Sequence, residues 1–188
     1  MRVLNTGKIL PETKESLPVF TIGHSTRSLE EFVNILEKCN VRKIVDIRTV
    51  PRSRHNPQFN RETLPANLAI SGIGYVHVPG LGGLRHTRVD SLNRGWRNAS
   101  FRGFADYMQT QEFEDNLTTL IQLSEEEQIA IMCAESLPWR CHRSLIADAL
   151  LVRGIEVKHI MNAAKSREHT LTPWIKVVGT DITYPPPA

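Results

Sequence analysis

The residues with the most chemical potential lie between Ile129 and His159, in the stretch IAIMCAESLPWRCHRSLIADALLVRGIEVKH. An apolar run stops at Cys133, a loop carries Glu135, Trp139 and Arg140, and Cys141-His142-Arg143 opens an amphipathic helix. A thiol delivered by a buried strand to a loop of free amides and arginines suits anion binding, because helix N-termini favour negative charge. The same surroundings lower a thiol's pKa toward the reactive thiolate. Cys133 is therefore the expected nucleophile or sulfur carrier, and Cys141 a resolving thiol or helix residue. Glu135, His24 and His142 are the groups available for proton transfer.

Arginines form a second signal. Arg48, Arg52, Arg54 and His55 crowd a loop that Pro51 and Pro57 keep irregular, and Arg140 and Arg143 flank the second cysteine. Planar guanidinium groups bind phosphate bidentately, so Arg48, Arg54, Arg140 and Arg143 are expected to hold an anionic substrate. Ser25, Asp46, His77 and Cys141 would complete that anion site, with Asp46 orienting an arginine. A further run from Arg85 to Arg102 sets five arginines and Trp96 against one acid, Asp90, and could follow a nucleic-acid backbone.

Metal and cofactor signatures are weak. His24, His77 and His142 with Cys133 and Cys141 offer ligand types that zinc accepts, but Cys-x7-Cys-His is not a familiar zinc spacing. On a helix Cys141 and His142 would also point about 100° apart. The reading therefore assigns no metal. Gly80–Gly83 lacks the strand-to-helix setting of a dinucleotide fingerprint, so no cofactor is expected.

These residues need elements to position them. Val19–Ile22 reads as a short strand leaving through Gly23-His24-Ser25. Ser28 and Glu31 form a capping box for a helix with Leu29, Phe32, Val33, Leu36 and Cys39 on one face. Val41–Ile47 is the next strand, Leu64–Ile70 a short helix ending at Gly72, and Gly74–Val78 another strand. Ser100 is expected to cap a helix that buries Phe101, Phe104, Ala105 and Met108. A second helical pattern follows through Phe113, Leu117, Leu120 and Ile121, and residues 124–128 read as an acidic turn into the strand Ile129–Met132. The helix after Cys141 buries Leu145, Ile146, Ala149, Leu150 and Val152, ends at Gly154, and precedes the strand Ile155–Ile160. Beyond Asn162 only Trp174–Val178 suggests an edge strand.

Strands alternating with helices predict an α/β three-layer sandwich, a mostly parallel sheet with helices on both faces. Ligands in such sheets bind beyond the carboxyl ends of the strands, and those ends carry His24, Asp46 and Arg48, His77, and Cys133 with Glu135. The separate motifs thus converge on one edge.

With 188 residues, 40% hydrophobic and 23% charged, the chain fits one soluble domain. Residues 1–18 read as an N-terminal tail, 19–178 as the domain and 179–188 as a proline-rich C-terminal tail. Three scattered cysteines make no disulfide framework, which favours a reducing compartment, and the cytoplasm by default. No apolar run reaches the roughly 20 residues needed to span a bilayer, so no membrane partner is expected. A formal charge of +3 permits an anionic partner without demanding one.

Locally, Cys133 followed by a loop, Arg143-Ser144, an apolar helix, Gly154 and a strand resembles the active-site segment of rhodaneses and dual-specificity phosphatases. Ile44-Val-Asp-Ile-Arg48 resembles the strand that opens rhodanese domains, and the implied architecture is Rossmann-like or rhodanese-like. The loop here is longer, with six residues between Cys133 and Arg140 and nine between Cys133 and Arg143. Over roughly Phe20–Asn162 the chain resembles the DUF-488 family, a domain family of unknown function. The motifs are Thr21-Ile-Gly-His-Ser25, Asp46-Ile-Arg48 with Pro51 and Arg54, Tyr75-Val-His77-Val-Pro79 with Leu81-Gly-Gly83, Phe101-Arg-Gly-Phe104, and Cys133-Ala-Glu135 with Cys141-His-Arg143. That resemblance implies an α/β domain with polar residues gathered at one site.

The expected function is an enzyme acting on a phosphorylated or nucleotide-containing substrate by hydrolase or sulfurtransferase-like cysteine chemistry. A nucleic-acid-binding or nucleic-acid-processing accessory domain and a non-catalytic small-anion sensor are the alternatives.

Overall fold

The computed structural model of the chain describes residues 17–186. All but the last two residues of the expected N-terminal tail lie outside them. The chain runs through β1 (Val19–Gly23), α1 (Leu29–Lys38), β2 (Lys43–Asp46), α2 (Leu64–Ile70), β3 (Gly74–His77), α3 (Ala99–Tyr107), α4 (Gln111–Glu126), β4 (Ile129–Cys133), α5 (Arg143–Val152), β5 (Val157–Asn162), β6 (Lys165–Glu168), β7 (Lys176–Val178) and β8 (Asp181–Thr183). Six strands form one sheet in the order β3-β2-β4-β1-β5-β6, parallel except for the β5–β6 pair.

Strand alternation divides the core between two faces. Ile22, Ile44, Ala130, Met132 and Ile160 pack with Phe32, Ile35 and Leu36 of α1 and Leu64 and Leu68 of α2. Val19, Val45, Ile129, Ile131 and Val157 point the other way, onto α3, α4 and α5. The fold is thus the expected α/β sandwich. All five residues of β4 are buried, as its central place demands.

Parallel register explains why the motifs meet. Gly23 of β1 lies opposite Cys133 of β4, and Asp46 of β2 lies opposite both Met132 of β4 and His77 of β3. The exits stay stitched beyond the strands: His24 N–H donates to the Cys133 carbonyl at 2.9 Å and Ser25 N–H to that of Ala134 at 2.9 Å.

Several expected elements shift. Asn98, not Ser100, caps α3, its side chain accepting from the amides of Ser100 and Phe101. α4 continues to Glu126 and absorbs most of the expected acidic turn, with Ser124 buried. Pro138–Arg140 forms a 3-10 turn and α5 starts only at Arg143, so Cys141 precedes the helix in extended backbone, φ −132° and ψ 142°. Proline at 138 favours that separate turn.

The expected C-terminal tail is corrected as well. β7 and β8 form a two-stranded ribbon, and Tyr184 beyond it is fully buried. Its hydroxyl donates to Asp148 Oδ2 of α5 at 2.9 Å, while Thr172 Oγ1 donates to the same oxygen at 2.7 Å. Near this junction a cavity of about 340 Å³ is lined by Trp96, Trp139, Trp174, His159, His169 and Arg167 among others. No helix among the described residues is long and apolar enough to cross a membrane.

Candidate active site

Cys133 ends β4 at 8% exposure, on the floor of a cleft of about 370 Å³ whose walls include Arg48, Gly83, Phe101, Glu135, Arg140 and His142. A second hollow of about 530 Å³, lined by His24, Ser25, Arg52, Asn56 and Ser136, shares Arg48, Val50, Ala134 and Glu135 with the first. Together they run along the carboxyl edge of the sheet.

The Cys133 thiol is pulled down to about 6, first by hydrogen bonding from the Cys141 thiol, then by the backbone amides of Glu135 and Ala134 and the charge of Arg143, against its burial. Cys141, the donor to that thiolate, is pushed well up by the bond and by burial. The pair shares one negative charge, and the amides place it on Cys133. His142 lies alongside, its Nδ1 3.7 Å from Cys141 Sγ. Its Nε2–H donates to the Leu81 carbonyl at 3.1 Å, and burial lowers its pKa to about 4.

Arg143 is 1% exposed and turns inward. Its Nη1 donates to the Glu135 carbonyl at 2.6 Å and its Nη2 to that of Ser136 at 2.7 Å, which clamps the loop behind the thiol. The loop is also pressed onto the exit of β1, where a Cβ at Gly23 would stand 1.9 Å from the Glu135 carbonyl oxygen. Only glycine fits that contact.

Arg48 is likewise engaged. Its Nε and Nη2 grip Asp46 at 2.9 and 2.6 Å, Nη2 also donates to the Phe59 carbonyl at 2.7 Å, and Nη1 donates to His24 Nε2 at 3.1 Å. The Tyr75 hydroxyl donates to Asp46 Oδ2 at 2.7 Å, and that bond with burial pushes the phenol up. His24 gives its Nδ1–H to the Ser25 carbonyl at 2.8 Å and stacks on Phe59 at 4.4 Å. Burial lowers its pKa to about 4, so it is neutral with both nitrogens occupied.

The expected site residues therefore separate. Cys133, Glu135, Arg140, Cys141 and His142 line the first hollow, and His24 and Ser25 the second, with Arg48 between. Arg48 gives Nε, Nη1 and Nη2 to Asp46, His24 and Phe59, whereas Arg143 makes one bond from each Nη to the loop carbonyls and its buried Nε has no partner among the described residues. His24 has both ring nitrogens in hydrogen bonds, with the Ser25 carbonyl and with Arg48. Asp46 holds Arg48 as expected, and His77 donates from Nε2 to the Arg48 carbonyl at 2.8 Å without lining either hollow. Arg54 is exposed on the loop nearby.

Sequence reading missed Gly83 and the Leu81 carbonyl as parts of this site. A Cβ at Gly83 would lie 2.5 Å from His142 Nδ1, so glycine lets the imidazole settle against the backbone. The Leu81-Gly-Gly83 run carried that signal, because paired glycines mark close approach. Of the Arg85–Arg102 segment, Arg85 stacks over Tyr107 at 3.5 Å and bonds the Gly80 carbonyl, and Arg88 pairs with Asp90.

A mostly parallel α/β sheet with Cys133, Glu135, Cys141 and His142 gathered at its carboxyl edge defines the class. The chain belongs to the family described as domain of unknown function DUF488, whose sequence profile matches residues 28–150. That match takes in β2, β3, β4 and the Cys133–Arg143 loop, and stops within α5. No curated protein and no solved structure matches the chain.

Proposed function

We propose that this protein is an enzyme whose Cys133 thiolate attacks a phosphorylated or nucleotide-containing anion bound along the sheet edge. The observation that carries the reading is that Cys133, at the end of β4, lines the sheet-edge cleft together with Glu135, Arg140, Cys141 and His142. Arg140 on the first hollow and Arg52 on the second are exposed, and both supply guanidinium groups to the substrate. In the first step Sγ bonds to the electrophilic centre and the leaving group departs with its electron pair, taking a proton from solvent. Glu135, which lines both hollows, then removes a proton from a water that attacks the covalent intermediate, and the thiolate leaves.

The test is turnover on a panel of phosphate esters and nucleotides. Cys133→Ser is expected to abolish it, and Glu135→Gln to trap the covalent adduct for mass spectrometry. Full turnover by Cys133→Ser would eliminate covalent thiol catalysis.

Nucleic-acid binding is the second reading, favoured by Arg94 and Arg97, which are exposed on the 85–98 segment. It requires affinity that falls steeply with salt and on replacing both by Ala.

A further inference from the structure

We propose that Cys133, Cys141 and His142 form a three-ligand site for a thiophilic divalent metal, zinc foremost, and that metal binding withdraws Cys133 from covalent chemistry. The second half rests on the reading of Cys133 as nucleophile; the first half does not.

Two Sγ atoms and one imidazole nitrogen lie within 4.8 Å of one another. Tetrahedral zinc with Zn–S of about 2.3 Å and Zn–N of about 2.0 Å sets adjacent S and N ligands about 3.6 Å apart. Cys141 Sγ and His142 Nδ1 stand 3.7 Å apart. Cys141 reaches this position because it precedes α5 in extended backbone, which frees the pair from helical spacing.

The imidazole is also fixed in the tautomer a metal requires. Its Nε2–H is held by the Leu81 carbonyl, leaving the Nδ1 lone pair turned toward the sulfurs. A backbone carbonyl on the far nitrogen is a recurring outer-shell support of metal-bound histidine. Gly83 supplies the room for this, since a side chain there would meet Nδ1 itself.

Three protein ligands leave the fourth position for water or substrate, as open zinc sites do. It faces the cleft containing Glu135 and Arg140. Binding releases the Cys141 proton, and that of Cys133 where present, to solvent, and two thiolates balance the dication. A metal-bound Cys133 sulfur has its lone pair engaged and no longer attacks.

The test uses the full chain, reduced and chelator-treated. Cobalt(II) titration is expected to produce thiolate-to-cobalt charge-transfer and tetrahedral bands at one equivalent, bleached by zinc. Cys133→Ser and Cys141→Ser should weaken binding by more than the about 10–100-fold that loss of an outer-shell partner costs. Cys39→Ser, away from the site, should leave the bands unchanged. Absent bands, or equal bands in Cys133→Ser and Cys141→Ser, overturn the site. Iodoacetamide alkylation of Cys133 is expected to slow at least about tenfold in stoichiometric zinc, in proportion to occupancy. Unchanged alkylation with bands present overturns the withdrawal. Bands with no alkylation of metal-free Cys133 support the site while removing the nucleophile reading.

Discussion

Replacing Cys141 by Ala removes the largest influence holding the Cys133 thiolate at low pH. A hydrogen bond to a charged acceptor contributes about 1.5–3 kcal/mol. At 1.36 kcal/mol per pH unit, its loss raises the Cys133 titration by about 1–2 units. The midpoint should move from about 6 to roughly 7–8, not to the free-thiol value, because both amides and Arg143 still favour the thiolate. Cys141→Ser keeps a donor and is expected to stay nearer the wild type. The assay is the pH profile of iodoacetamide alkylation on chelator-treated protein, with mass spectrometry assigning the modified cysteine. Equal midpoints in wild type and Cys141→Ala, or a wild-type midpoint in the ordinary thiol range, would refute the shared-charge account.

Three further outcomes follow from the same contacts. His24 and His142 are held neutral, each with a folded pKa of about 4 against 6.5 for an unperturbed histidine. Stability from keeping them uncharged is intact above about pH 6.5 and lost as pH falls toward 4, at about 3 kcal/mol each. Urea midpoints of metal-free protein at pH 7 and 4.5 should reveal the drop, and a flat profile would contradict it. Arg143→Gln removes two charge-assisted bonds to loop carbonyls and should cost about 3–6 kcal/mol in chemical denaturation. Arg143→Lys should recover only part, lacking the planar fork. Gly23→Ala drives a methyl into the Glu135 carbonyl and should cost more than about 2 kcal/mol, whereas Gly74→Ala, whose nearest neighbour would be Lys43 Cε at 3.5 Å, should cost less than about 1 kcal/mol. Similar thermal shifts for the two would sink that contrast.

Strand ends proved the most legible part of the chain. Ile44, Val45, Ile129 and Ile131 read as buried strand, and a parallel sheet can only bring the residues that follow to one edge. Asp46 and Arg48 are also two apart in extended chain, which puts both on one side and makes their pairing readable. Side-chain partners were not readable. Periodicity places Arg143 at a helix start, yet the direction of its guanidinium depends on carbonyls at 135 and 136 that a folded loop must first present. The geometry of Cys141 and His142 was hidden by a 3-10 turn only three residues long. β7 falls within the strand expected at Trp174–Val178, whereas β8 and Tyr184 escaped for a related reason: a three-residue strand is too short to show alternation, and Tyr184 is bonded to Asp148 and Asn93, both distant in sequence.

The cavity near the C-terminal junction has a practical consequence for spectroscopy. All three tryptophans of the chain line it, and Trp139 belongs to the loop joining Cys133 to Cys141. Trp96 meets Trp174 edge-on at 5.1 Å, while Trp139 is 53% exposed. Intrinsic emission therefore includes one fluorophore, the most exposed of the three, on the loop between Cys133 and Cys141. Acrylamide quenching or a spectral shift can follow that loop during substrate or metal addition in the unlabelled protein, with Trp139→Phe separating its signal from the other two.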